Sequence, residues 1–122
     1  MDEIAAIFKK AISTLDDAEF NFKHERHSVS INRSYYACFY AAKALLLKKG
    51  IVTKTHSGTI HKFGLEYVIN GNFDKHIGKF FSILEKDRGK ADYDYSYEAT
   101  ENKAKKDLNN AKKFVKECEK FL

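Results

Sequence analysis

Arg33 and Tyr40 are seven residues apart in a stretch free of Pro and Gly. On a helix they share one face, two turns apart within about 20° of rotation and roughly 10 Å along the axis. A guanidinium there can grip a phosphate through two parallel N–H groups, and a phenol two turns on can orient or protonate an oxygen. Asn32 directly precedes the pair, and Tyr36 and Ala37 lie between its members. Ala37, Ala41 and Ala44 near this face would let a second helix, from this chain or another copy, come close. The same residues also suit a half-buried Arg that satisfies carbonyls and Tyr hydroxyls as structural glue, and spacing alone does not choose between the two.

Two further clusters could carry chemistry. Lys54-Thr55-His56-Ser57-Gly58 sets a cation, two hydroxyls and an imidazole where a helix would start, and free backbone N–H groups at such a start attract anions. A plain helix cap with a solvated His explains the same residues. Asp87-Arg88-Gly89-Lys90-Ala91-Asp92-Tyr93-Asp94 can form an internal salt-bridge network; alternatively Arg88 and Lys90 could take phosphates while the Tyr rings stack on bases. His56, His61 and His76 lack the helical pair spacing of a zinc site, and Cys38 and Cys118 have no ligand-spaced neighbour. No metal and no cofactor is expected, and the two cysteines read as small buried apolar residues of a reducing compartment.

The elements that must position these groups follow from apolar spacing. Ile4, Phe8, Ala11, Ile12, Leu15, Ala18 and Phe22 recur every three or four residues, which predicts a helix from Asp2 to about Phe22. Asn21 to Ser30 reads as a polar turn, with Ser28 and Ser30 as potential caps. The next helix, about Val29 to Lys49, is apolar almost all round and is therefore central, with Gly50 as its left-handed terminator. A third helix, capped by Ser57, runs through Ile60, Phe63, Gly64, Tyr67 and Val68 to the turn Asn70-Gly71-Asn72; a fourth spans about Phe73 to Asp87. Asp87 to Ser96 reads as an ordered, packed loop. The last helix, about Ala99 to Leu122, carries the stripe Ala104, Leu108, Ala111, Val115, Cys118, Leu122.

A chain of 122 residues with 43% hydrophobic and 14% aromatic content can close one core, so a single domain over residues 1–122 is expected. The absence of Pro and the presence of only six Gly disfavour an all-β fold. Short connections then make neighbouring helices antiparallel, giving an all-α, up-and-down bundle of four main helices plus a shorter one. The net charge of +5 serves solubility and also suits a polyanionic partner such as RNA or an acidic protein surface. The start Met1-Asp2-Glu3-Ile4 is acidic, and no run approaches the roughly 18 apolar residues of a membrane span, so a cytoplasmic protein without a membrane partner is expected.

Asn32-Arg33-Ser34-Tyr35-Tyr36-Ala37-Cys38-Phe39-Tyr40-Ala41-Ala42-Lys43-Ala44-Leu45-Leu46 resembles the second helix of HEPN domains. Lys54 to Gly58 and Arg88 to Tyr93 resemble two other stretches of the small stand-alone prokaryotic branch, in the same order, so the likeness spans nearly the whole chain. The resemblance implies a helical bundle that commonly pairs as a homodimer and is often encoded beside a minimal nucleotidyltransferase. Many such proteins are metal-independent ribonucleases that act as toxins, the nucleotidyltransferase serving as antitoxin; others bind nucleotides or only dock partners. In the active ones an Arg, followed a few residues later by a His, forms a site completed across the dimer. Arg33 matches that Arg, whereas Tyr40 stands where the His would be, and neither Arg26 nor Arg88 is followed by a His at that spacing. A phenol, with an ordinary pKa of about 10, is a poor acceptor for a 2′-hydroxyl proton. The resemblance therefore implies a component of a toxin–antitoxin-like pair that binds or weakly cleaves RNA, or a non-catalytic nucleotide-binding or partner-docking module. Arg33 and Tyr40 would carry any chemistry, and Asn32, Arg33, Tyr36, Lys54, His56 and Arg88 would contact RNA or nucleotide.

Overall fold

A computed structural model of the chain describes residues 2–122, and among these the elements are six α-helices and one π-helical segment, with no strand. Helix α1, Glu3–Lys23, starts where the Asp2 carboxylate accepts a hydrogen bond from the Ala5 amide at 2.7 Å. The acid also suits the positive end of the helix dipole. The connection to α2 is shorter than the polar run Asn21 to Ser30 suggests, because α1 continues to Lys23 and α2 begins at His27. Glu25 makes the reversal in the left-handed region, at φ 60°. Neither serine caps α2; Arg26 stands at the cap position without a side-chain bond, and Ser30 is buried, donating to the Ala18 carbonyl at 2.8 Å to tie α1 to α2.

Helix α2, His27–Lys48, is the central element. Ile31, Tyr35, Cys38, Ala41, Ala42 and Leu45 on its different sides are fully buried, and α1, the helices at His56–Phe63 and Phe80–Tyr93, and the C-terminal helix pack on it. Its small residues permit this close approach from several directions. Gly50 ends it at φ 74°, a conformation that costs a residue with Cβ about 1 kcal/mol or more.

Helix α3, His56–Phe63, is capped by the Thr55 hydroxyl, which accepts from the Gly58 amide at 2.9 Å, rather than by Ser57. The chain runs directly into the π-helical segment Gly64–Ile69, closed by the Asn70 amide on the Leu65 carbonyl at 3.0 Å. The wider turn brings the buried Tyr67 hydroxyl onto the Leu45 carbonyl of α2. The fourth predicted helix is split at Lys79 into the single turn α4, Lys75–Gly78, and helix α5, Phe80–Tyr93. A Cβ on Gly78 would stand 2.8 Å from a Val68 methyl, so a larger residue there would force Val68 or α4 to shift from its seat against the π-helical segment.

Helix α5 overturns one expectation. Asp87 to Tyr93 is helix, not loop, because Arg88 pairs with Glu85 three residues before it and with Asp92 four residues after it. Such spacings pair side chains on a helix surface. Only the connection after Tyr93 is irregular, and there Tyr95 is fully exposed rather than packed. Helix α6, Glu101–Glu119, is capped by Thr100 and buries Ala104, Leu108, Ala111, Val115 and Cys118 as the stripe predicts; Leu122 lies past its end and is exposed. Phe63, Phe73, Phe81 and Phe114 close the core with ring centroids 4.9–5.9 Å apart, each such pair adding about 0.5–1.5 kcal/mol beyond area burial. Among the described residues no helix is long and apolar enough to cross a membrane.

Candidate functional site around Tyr36

Tyr36 projects from α2 between three charged or titratable groups supplied by three helices. The Arg33 guanidinium carbon lies 5.0 Å from its ring centroid, that of Arg88 5.8 Å, and the His56 ring meets it edge-on at 5.6 Å. Arg33 comes from the same helix one turn back, His56 from the first residue of α3, and Arg88 from the middle of α5. Residues that sequence spacing left in three separate clusters thus surround one aromatic ring.

The two arginines differ in surroundings. Arg88 is 7% exposed, bonds Glu85 at 2.6 Å and faces Asp92 at 3.6 Å, with its guanidinium over Tyr35 at 5.1 Å and Tyr93 at 5.8 Å. Burial works against its charge, but Glu85 outweighs burial, and with Tyr36 holds the guanidinium above its ordinary range. Arg33 is half-buried, and its Nε and one terminal nitrogen both donate to the neutral Asn32 Oδ1, at 3.1 and 3.0 Å. Asn32 in turn donates to Asp92 at 2.9 Å. A chain of polar contacts therefore runs from Glu85 through Arg88, Asp92 and Asn32 to Arg33. It fixes the Arg33 head and leaves its charge uncompensated by a carboxylate. A pre-oriented guanidinium that no carboxylate compensates, placed over a phenol ring, has the chemistry to accept a phosphate.

His56 is the second fixed group. Its ring stacks on Phe39 at 4.9 Å and on Tyr35 at 5.7 Å, and its Nδ1 shares a 2.7 Å hydrogen bond with the Tyr35 hydroxyl. Tyr35 is fully buried, and burial, then Glu85, pushes its phenol well above the ordinary range, so it remains a protonated donor. Tyr40 lies farther along α2, its ring 6.2 Å from that of Tyr36 and covered by the Lys10 ammonium of α1 at 4.6 Å. Lys43 adds a cation over Phe39 at 5.4 Å. Lys54 is exposed in the connection before α3 and makes none of the contacts that join the others. No group of three His, Cys, Asp or Glu side chains among the described residues is arranged to hold a metal ion.

Sequence reasoning passed over Tyr35 and Glu85, and it named Asp92 only as part of an internal salt-bridge network, the role that its pairing with Arg88 bears out. The Glu85, Arg88, Asp92 spacing was a legible helical signal, hidden by reading this segment as a loop.

The family model described as HEPN domain matches residues 4–121. A UPF0332 protein of Thermotoga maritima is 37% identical over 114 residues, covering 93% of this chain and 86% of that protein. Two Methanocaldococcus jannaschii proteins that bear the names of candidate toxins are 35% and 30% identical. The alignments cover 99% and 98% of this chain, and 90% and 82% of those proteins.

Proposed function

The chain belongs to the HEPN domain family, and from that premise we propose that it is the RNA-directed member of a toxin–antitoxin-like pair, binding single-stranded RNA through a site centred on Arg33. The observation that carries the reading is the Arg33 guanidinium stacked on Tyr36 and bonded only to a neutral amide oxygen, beside an Arg88 that is fully matched by carboxylates. Arg33 takes the phosphate, and Tyr36 offers a face to the adjoining base. The names of the two M. jannaschii relatives support the toxin side of the reading. The proposal includes a homodimer that brings two such sites together and a minimal nucleotidyltransferase as partner, in keeping with the family resemblance.

The test is affinity for a short single-stranded oligonucleotide at low salt, for the wild type and Arg33→Ala. Arg33→Ala should weaken binding about 10- to 100-fold, the loss of a charge-assisted phosphate contact, and should make binding less steeply salt-dependent. Equal affinity in the two proteins would refute the assignment of Arg33.

A further inference from the structure

We propose that His56 is the proton-accepting group of this site, held for that role by a relay from Glu85 through the Tyr35 hydroxyl. The inference rests on the RNA-binding reading and adds chemistry to it. Its basis is an accounting of protons among three side chains on three helices. The Tyr35 hydroxyl and His56 Nδ1 are 2.7 Å apart, and one of them must donate. Glu85 Oε1 receives Arg88 at 2.6 Å, whereas Glu85 Oε2 is buried, takes no donor of its own and lies 3.8 Å from His56 Nδ1. After burial, Glu85 is the largest influence raising the Tyr35 phenol, which sets its carboxylate near that hydroxyl.

If Tyr35 gave its proton to His56, the buried Glu85 oxygen would be left without a donor, at a cost of about 1–3 kcal/mol or more for a charged group. If instead His56 Nδ1–H donates to the Tyr35 oxygen, the Tyr35 proton is free for Glu85, and both buried acceptors are satisfied. This second arrangement leaves the lone pair on Nε2. The His56 side chain is 41% exposed, its Nδ1 is turned to the Tyr35 hydroxyl, and its ring meets Tyr36 edge-on, which leaves the Nε2 edge as the one not engaged by Tyr35. Phe39 and Tyr35 stack on the imidazole and hold its plane. A carboxylate that fixes the tautomer of an imidazole is a recognised means of preparing a base; here a buried phenol stands between them.

The reaction available to such a base, with Arg33 on the phosphate, is intramolecular transesterification of RNA. His56 Nε2 takes the 2′-hydroxyl proton, the 2′ oxygen forms a bond to the adjacent phosphorus, and the bond from phosphorus to the 5′ oxygen breaks. A water protonates the leaving 5′ oxygen, and the hydroxide so formed takes the proton back from the imidazolium. The products are a 2′,3′-cyclic phosphate and a 5′-hydroxyl, and no redox partner is required. Tyr35 and Glu85 touch no substrate and are positioning residues.

Two measurements test this. Nitrogen-15 NMR of the histidine side chains at alkaline pH should show His56 protonated on Nδ1, and Tyr35→Phe should move that proton to Nε2 while the helical circular dichroism is kept. A wild-type His56 protonated on Nε2 would overturn the relay. In the second, an all-ribose oligonucleotide in EDTA should be cut to a cyclic phosphate and a 5′-hydroxyl, and His56→Gln should slow cutting about 100-fold or more through kcat. The 2′-deoxy version, which cannot be cut, reports binding alone. Failure of the wild type to bind it, or binding that ignores Arg33→Ala, defeats the Arg33 reading. Wild type that binds it yet leaves RNA intact, or a His56→Gln variant that cuts at the wild-type rate, defeats the inference about His56 and leaves the binding site standing.

Discussion

Arg88 and Asp107 are both buried charged side chains, 7% and 1% exposed, one on α5 and the other on the facing α6. Around Arg88 the neighbours are of opposite sign or aromatic, namely Glu85, Asp92 and the rings of Tyr35 and Tyr36. Around Asp107 they are acidic or weakly acidic. Burial, then a hydrogen-bonded Asp87, pushes its carboxyl up to about 8, Lys106 opposing; Tyr97 and Cys38 also face it and are themselves held above their ordinary ranges, chiefly by burial. The first region keeps its charge and organises a surface around Tyr36. The second favours the neutral carboxyl, chiefly through burial. Burial alone thus does not determine what an ionisable group does; the sign of what faces it does.

The largest expected effect is at Arg88. Arg88→Ala leaves Glu85 and Asp92 without their counter-charge, and removing one partner of a buried ion pair costs about 3–5 kcal/mol. Urea denaturation should show a loss of that order, and a loss below about 1 kcal/mol would mean that the network is not a structural keystone. At Asp107 the effect is a pH dependence. Its folded-state carboxyl titrates near 8 against an unfolded value of 3.8, so between about pH 4 and pH 8 the folded chain holds a proton that the unfolded chain has released. Stability therefore falls as pH rises through that window and levels off above it, by a total on the order of a few kcal/mol, since each pH unit in the window removes at most about 1.4 kcal/mol. Asp107→Asn, which has no proton to lose, should flatten that component, so the difference between the two stability curves isolates it from the histidines. Parallel curves would place that pH dependence on another group.

The same contrast shows what was legible beforehand. The α6 stripe, the central character of α2 and the Gly50 terminator follow from apolar period and backbone preference, and these are local properties that a sequence displays. Asp107 interrupts no stripe and announces no partner, because Asp87 reaches it only when α5 packs on α6. The π-helical segment was equally hidden, since Gly64 to Ile69 carries the same apolar spacing as an α-helix and the widened turn answers to Tyr67 meeting the Leu45 carbonyl. The Tyr36 site was half visible: Arg33, Tyr36, His56 and Arg88 could each be singled out by type, but their convergence depends on Asp87 to Tyr93 being helix.

At Arg33 the comparison moves from stability to binding. Arg33 has a neutral hydrogen-bond partner and no carboxylate, so Arg33→Ala should change the unfolding free energy by no more than about 0.5 kcal/mol, in contrast to Arg88→Ala, while oligonucleotide affinity drops. Loss of stability on the scale of Arg88 would show that Arg33 belongs to the structural network rather than to a site resting upon it.

The smallest effect separates ring from hydroxyl at Tyr40. Its half-buried ring lies under the Lys10 ammonium and beside Tyr36, contacts that a Phe ring reproduces in part, and a cation over an aromatic ring contributes about 0.5–2 kcal/mol depending on exposure. Tyr40→Phe should therefore change oligonucleotide affinity by about twofold or less, and Tyr40→Ala, which frees Lys10 and uncovers Tyr36, by more. A tenfold loss in Tyr40→Phe would mean that the phenol oxygen touches the phosphate backbone. The binding face would then extend two turns along α2 from Arg33, and proton transfer would have two contenders, Tyr40 and His56, which the 2′-hydroxyl cleavage assay on Tyr40→Phe would tell apart.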